Sequence, residues 1–214
     1  ARQTDVLIRG DRIAGMAPDL SASAEEVIDG QGLTLAPGFI DVHTHSEDIC
    51  EVPAAENFLR MGVTTIITGN CGSSVRDVAE LFSRVEQTRT AVNVATLIGH
   101  NSVRRRGMGG NLNRPPTADE LAVMKTHVDQ AMRDGAVGLS TGLIYVPGTF
   151  SGTDEIVELA KVAASYDGIY VSHMRSENTK IFDALTEFLR IARDARVRSQ
   201  VSHIKLSSPT SWGK

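Results

Sequence analysis

Charge of one sign, cysteine and long apolar runs are all scarce in this sequence. Its 214 residues carry 22 Lys and Arg against 26 Asp and Glu, a formal net charge of −4. That balance argues against nucleic acid as a general partner, and the one basic cluster, Arg104-Arg105-Arg106, is too short to change it. Two cysteines, Cys50 and Cys71, make one disulfide at most, which excludes a secreted cross-linked scaffold. No apolar run approaches the ~18 residues that a membrane helix needs, and no basic segment followed by an apolar stretch and a cleavage site is visible. The expected compartment is the cytoplasm, with neither membrane nor nucleic acid as partner. The glycine-rich phosphate loops G-x-G-x-x-G and G-x-x-x-x-G-K-[ST] are also missing, which removes the main signature of a nucleotide fold. What remains, 41% hydrophobic and 22% charged residues, is the composition of an ordinary globular chain.

Residues 1–36 differ in texture from the rest. Val6-Leu7-Ile8 and Arg12-Ile13-Ala14 flank the turn dipeptide Gly10-Asp11. Val27-Ile28-Asp29-Gly30 and Leu33-Thr34-Leu35 repeat that pattern. The expectation is part of a small β-sandwich domain. From residue 37 to 214 the pattern alternates between strand and helix. Candidate strands are Phe39–Val42, Thr64–Thr68, Val92–Ile98, Val137–Ser140, Ile169–Ser172 and Val197–Ser202, short β-branched runs typical of a buried parallel sheet. Between them apolar residues recur at helical spacing around Val75–Val85, Leu121–Ala131, Ile156–Ala163 and Ile181–Ala192. Glu51–Gly62 supplies a further helix, and Thr117 with Glu120 predicts a capping box. About six βα units of this kind are expected to be the N-terminal portion of a TIM-type (β/α)8 barrel, incomplete in this chain, because chemically reactive residues cluster at several strand ends.

Those strand ends carry the chemistry. His43-Thr44-His45 follows Phe39–Val42, and side chains two apart on a strand point the same way, so both imidazoles can reach one cation. His173 and His203 each end a later strand. Imidazoles packed at one barrel mouth without partners would leave buried polar nitrogens unsatisfied, whereas a zinc ion would take them as ligands. Cys71, in Gly69-Asn70-Cys71-Gly72 after the second strand, adds a candidate thiolate. His100 is a candidate for lining the mouth without binding metal. Arg104–Arg106 with its following glycines reads as a solvated loop.

The run Leu35-Ala36-Pro37-Gly38-Phe39-Ile40-Asp41-Val42-His43-Thr44-His45 resembles the opening strand of the amidohydrolase superfamily. Four more segments resemble its N-acyl-D-amino-acid deacylases (D-aminoacylases). They are Gly69-Asn70-Cys71-Gly72, Gly138-Leu139-Ser140-Thr141-Gly142-Leu143-Ile144-Tyr145, Ser172-His173-Met174-Arg175-Ser176-Glu177 and Ser202-His203-Ile204-Lys205. The resemblance implies that Cys71, His173 and His203 hold a tight Zn2+, with His43 and His45 serving a second, weaker position. It implies that Tyr145 and Lys205 bind substrate. Arg175 and Glu177 match motif positions without an assigned role. The general base is expected to be an aspartate beyond residue 214, so no catalytic base falls within these residues. The implied activity is zinc-dependent hydrolysis of a small-molecule N-acyl-D-amino acid to a carboxylate and a free D-amino acid. Two alternatives stay open: a cyclic-amide hydrolase of dihydroorotase or hydantoinase type, and a catalytically silent metal-binding chain.

Overall fold

The computed structural model describes residues 3–20, 24–209 and 212–213. It divides into two compact units, one ending at Pro37 and the other starting at Gly38. In the first unit β1 (Asp5–Arg9) and β2 (Arg12–Ala17) pair antiparallel across the Gly10-Asp11 turn. The Val27–Gly30 and Leu33–Leu35 segments, expected as strands, form none. Asp29 instead caps a turn, accepting from the Gln31 backbone N–H at 2.9 Å, and Val27, Ile28, Leu33 and Leu35 are exposed. Among the described residues this unit holds one two-stranded sheet, β1-β2.

The second unit alternates as its sequence does. Its elements begin with β3 (Phe39–Asp41), α1 (Glu56–Leu59), β4 (Val63–Thr68), α2 (Val78–Thr88) and β5 (Asn93–Thr96). They continue with β6 (Ile98–Gly99), α3 (His100–Gly107), α4 (Ala118–Arg133), β7 (Gly138–Gly142), α5 (Thr153–Ala164), β8 (Ile169–His173), α6 (Ile181–Ala195) and β9 (Arg198–Val201). All pairings in this unit are parallel, in two sheets of order β3-β4-β5 and β6-β7-β8-β9. The predicted strand over 92–98 is thus split at Leu97, which is fully buried and carries the chain from one sheet into the other. The parallel α/β class is as expected; eight strands closed into a barrel are not what these sheets display.

Helix ends follow local chemistry. Thr117 and Glu120 make both bonds of the capping box that starts α4. The Asp77 side chain accepts from the Glu80 N–H to start α2. The expected helix over 51–62 shrinks to α1 and a preceding 3-10 turn at Ile49–Glu51. On α6 the buried stripe is Ile181, Ala184, Phe188 and Ile191, with Phe188 stacked on Tyr170 at 5.7 Å between ring centroids. Leu189, apolar and within the same helical run, is exposed.

One helix contradicts the sequence reading outright. Residues expected as a solvated loop form α3, and Arg104 is completely buried. Its guanidinium pairs with Glu155 of α5 and also donates to the Leu112 carbonyl at 3.1 Å and the Arg114 carbonyl. His100, expected at the mouth, is likewise fully buried, with Nε2 2.8 Å from the other Glu155 oxygen. One carboxylate thus satisfies two buried cationic or imidazole groups, which is what permits their burial.

Candidate metal centre

Parallel pairing brings the C-terminal ends of neighbouring strands to one edge. Gly142, the last residue of β7, is in register with His173, the last of β8, and the Ser202 N–H donates to the Ser172 carbonyl at 2.9 Å, extending the β8-β9 pairing toward His203. In the other sheet the Thr44 N–H donates to the Ile67 carbonyl at 3.0 Å, holding the residues after β3 beside the end of β4. His43 and His45 lie beyond β3, which ends at Asp41; a turn closed by the His43 N–H on Asp41 Oδ1 at 3.1 Å sets them rather than a strand pleat.

The Cys71 turn is held with unusual thoroughness. Asn70, completely buried, donates to the Ile67 carbonyl at 3.0 Å. The Ser140 hydroxyl on β7 donates to the Gly69 carbonyl at 2.5 Å and accepts from the Gly72 N–H at 3.1 Å, so one side chain spans the turn. Cys71 itself has φ of 54°, in the left-handed region that non-glycine residues seldom occupy. Across the turn, a Cβ on Gly142 would stand 2.1 Å from the Cys71 carbonyl oxygen. That contact is impossible, so glycine is required there. Sequence reading passed over Asn70 and Ser140; their only signal is membership in the two quoted motifs.

Four expected ligands converge. Cys71 Sγ is 3.5 Å from His43 Nε2 and 3.7 Å from His173 Nδ1. The His173 and His203 rings lie 4.5 Å apart, and those of His43 and His203 5.7 Å apart. Ligand atoms fall into two overlapping groups, His43 with Cys71 and His203, and His173 with Glu177 and His203. His45 is in neither group; it is exposed, with its ring 5.4 Å from that of His43. An open cavity of about 310 Å³ is lined by His45, Cys71, Ser73 and Tyr145. Tyr145 Oη is 3.4 Å from His173 Nδ1.

This donor set fits a zinc-like cation. Tetrahedral zinc, with Zn–S of about 2.3 Å and Zn–N of about 2.0 Å, sets its sulfur and nitrogen ligands about 3.5 Å apart, close to the spacings around Cys71. Burial pushes the Cys71 thiol up to about 11, with Glu177 adding to the effect. Burial lowers His173, and it lowers His43 with help from His45 and His203. At His43 and His173 this favours the neutral ring, the form that ligates a metal. His43 Nδ1 is buried without a hydrogen-bond partner among the described residues.

Glu177 and Arg175, without roles in the sequence reading, have definite places. Glu177 is buried, with Oε1 2.5 Å from His203 Nδ1 and Oε2 2.7 Å from Lys205 Nζ and 3.7 Å from His173 Nε2. Both His203 and Lys205 lie beyond β9, which ends at Val201, and Lys205 Nζ is also 3.3 Å from His203 Nδ1. Arg175 faces away from the cluster. It pairs with Glu187 through Nε at 2.8 Å and Nη2 at 2.9 Å, and donates to the Thr149 and Ser151 carbonyls at 3.0 Å each. It thereby pins the loop that carries Tyr145 to α6.

Fold and donors together define a class: a parallel α/β chain that gathers one sulfur and several imidazoles at its strand ends. No protein-family model matches the chain. It is 34% identical over 237 aligned residues to the D-aminoacylase of Alcaligenes xylosoxydans xylosoxydans, an alignment covering 100% of this chain and 49% of that protein. A crystal structure of D-aminoacylase, described as defining a novel subset of amidohydrolases, superposes with a TM-score of 0.93 at 33% identity, over 99% of this chain and 50% of the other. N-acyl-D-glutamate deacylase from Bordetella bronchiseptica, solved with zinc and a phosphonate mimic of the tetrahedral intermediate, gives a TM-score of 0.93 at 34% identity, over 99% and 49%. The chain is related along its whole length to the D-aminoacylases and N-acyl-D-amino-acid deacylases. It spans about half the length of these relatives. Among the described residues, no helix is long and apolar enough to cross a membrane.

Proposed function

We propose that this chain is part of a zinc-dependent deacylase that hydrolyses N-acyl-D-amino acids to a carboxylate and a free D-amino acid. In this reading its two parallel sheets are arcs of a (β/α)8 barrel. The observation that carries the proposal is the approach of Cys71 to two imidazoles at 3.5 and 3.7 Å, in a chain whose relatives are such deacylases.

Cys71, His173 and His203 would hold the principal ion, and His43 with His45 a second, weaker one. A zinc ion held there would supply a Lewis acid for an amide carbonyl and would bring the pKa of a water toward ~7. The protein's own groups do the rest. Tyr145, whose phenol is raised by burial and then by Cys71, stays protonated at neutral pH. It opens into the same cavity as Cys71, where its O–H can donate to a developing oxyanion. Lys205 meets the substrate carboxylate as a point charge, exchanging its contact with Glu177 for one to substrate. The proton passed to the leaving amine is assigned, by the family resemblance, to an aspartate beyond residue 214.

The test is a screen of the intact protein with N-acetyl-D- and N-acetyl-L-amino acids and with a dihydropyrimidine such as dihydrouracil. Release of free D-amino acid, abolished by chelation and restored by Zn2+, is the expected result. Turnover of the cyclic amide alone would establish the cyclic-amide alternative, and zinc binding without any turnover would establish the silent one.

A further inference from the structure

The three consecutive arginines of α3 serve different ends. Arg104 is buried against Glu155, and Arg106 donates to the Arg76 carbonyl at 2.6 Å. Arg105, exposed, donates through Nη2 to the Val146 carbonyl at 2.8 Å. Val146 directly follows Tyr145, and the reaction described above leaves Arg105 unused.

The segment that carries Tyr145 has little apolar packing to fix it. Ile144, Tyr145 and Val146 are 44%, 48% and 60% exposed, so polar ties must set where the phenol stands. Within the segment, the Tyr145 N–H donates to the Gly142 carbonyl at 3.1 Å and the Thr149 N–H to the Tyr145 carbonyl at 2.8 Å. Arg175 holds the far end, at the Thr149 and Ser151 carbonyls. Arg105 holds the near end, beside Tyr145 itself. The helix that bears it lies against the segment: a Cβ on Gly148 would stand 2.5 Å from Asn101 Oδ1, and Asn101 and Arg105, four residues apart, share one helix face. The first turn of α3 also meets the Cys71 turn, where the Asn101 and Ser102 N–H groups donate to the Gly72 carbonyl at 2.8 and 3.2 Å. Those are backbone bonds, which a substitution at Arg105 leaves in place.

We propose that Arg105 is a positioning residue for Tyr145: it ties the Val146 carbonyl to α3 and so keeps the phenol in the cavity beside Cys71. The phenol's task rests on the deacylase reading above; the tether itself does not. A guanidinium on a carbonyl makes a charge-assisted bond, and an exposed donor can be removed without opening the core. Misplacing a substrate-holding group by about 1 Å can cost on the order of 100-fold in rate, so a single tie on an exposed segment has a kinetic consequence large enough to read.

Two experiments on the intact protein test it. Hydrogen–deuterium exchange with mass spectrometry compares wild type with Arg105→Ala. Amides of residues 143–149 should exchange faster in the variant while those of 69–73 keep the wild-type rate. Unchanged exchange at 143–149, or an equal rise in both segments, overturns the proposal. A double-mutant cycle then reads kinetics with the N-acetyl-D-amino acid that the screen above finds best. Arg105→Ala should lower kcat/KM about 10-fold, chiefly through KM, with zinc content unchanged. In a Tyr145→Phe background the same substitution should cost less than about 2-fold, because the hydroxyl it positions is gone. An equal loss in both backgrounds, or a loss of zinc with the arginine, makes Arg105 a general structural tie and sinks the proposal. If wild type releases no amino acid at all, the deacylase reading fails; faster exchange at 143–149 then still upholds the tether, so the two failures are distinct.

Discussion

Cys71 Sγ and His173 Nδ1 face one another at 3.7 Å although 102 residues of chain separate them. Such an approach requires the ends of β4 and β8 to meet, and it places a soft and a borderline donor at the spacing of a common cation. Cys71→Ala should purify with less than about a tenth of the wild-type zinc, since a three-ligand site loses its only thiolate. Alanine bears the same left-handed backbone penalty as cysteine, so the melting temperature of the metal-free forms should stay nearly equal. Elemental analysis beside a thermal melt checks both parts.

Gly142→Ala probes the same site from across the turn. Its Cβ would stand 2.1 Å from the Cys71 carbonyl, and backbone cannot yield as a flexible side chain would. The expected result is weakened zinc binding, read by chelator competition, together with a loss of about 1–3 kcal/mol in urea unfolding.

The buried group of His100, Arg104 and Glu155 governs behaviour in acid. Burial pushes the Glu155 carboxyl up, but hydrogen bonds from His100 and Arg104 outweigh it and hold the group below its ordinary value. A depressed carboxylate contributes stability that is complete above its unfolded pKa of about 4.3 and is lost as pH falls through the folded value. Urea midpoints should therefore decline below about pH 5. Glu155→Gln should flatten that acid limb and cost about 3–5 kcal/mol at pH 7, because it leaves the Arg104 charge buried without its partner.

Arg175→Lys tests whether the fork on Glu187 matters to the site. A lysine keeps the charge but cannot reach Glu187, Thr149 and Ser151 together. The variant should lose about 1–3 kcal/mol of stability, and KM should rise more than kcat falls, since the freed loop carries Tyr145. An unchanged KM would reduce Arg175 to a purely structural tie.

How much of this was legible depended on the distance over which each signal acts. The Thr117 and Glu120 box, the turn at Gly10-Asp11 and the alternation of strands and helices rest on neighbours in the chain, and all were readable. Helix α3 was not. Three arginines followed by glycines look solvated until Glu155, 51 residues beyond Arg104, is brought beside it. The same holds for Glu177, whose spacing of four from His173 was visible but whose contacts with His203 and Lys205 come from the next strand end. The strands expected at Val27–Gly30 and Leu33–Leu35 failed for the opposite reason: their local pattern was right, but no partner strand pairs with them among the described residues.

The break at Leu97 divides the donors as well as the sheets. His43 and Cys71 belong to the β3-β4-β5 side, His173 and His203 to the β6-β9 side. Backbone bonds already cross that seam, from the Leu97 N–H to the Thr68 carbonyl and from the Val137 N–H to the Thr96 carbonyl, each at 2.9 Å; a cation gripped by both groups would add a clasp at its open end.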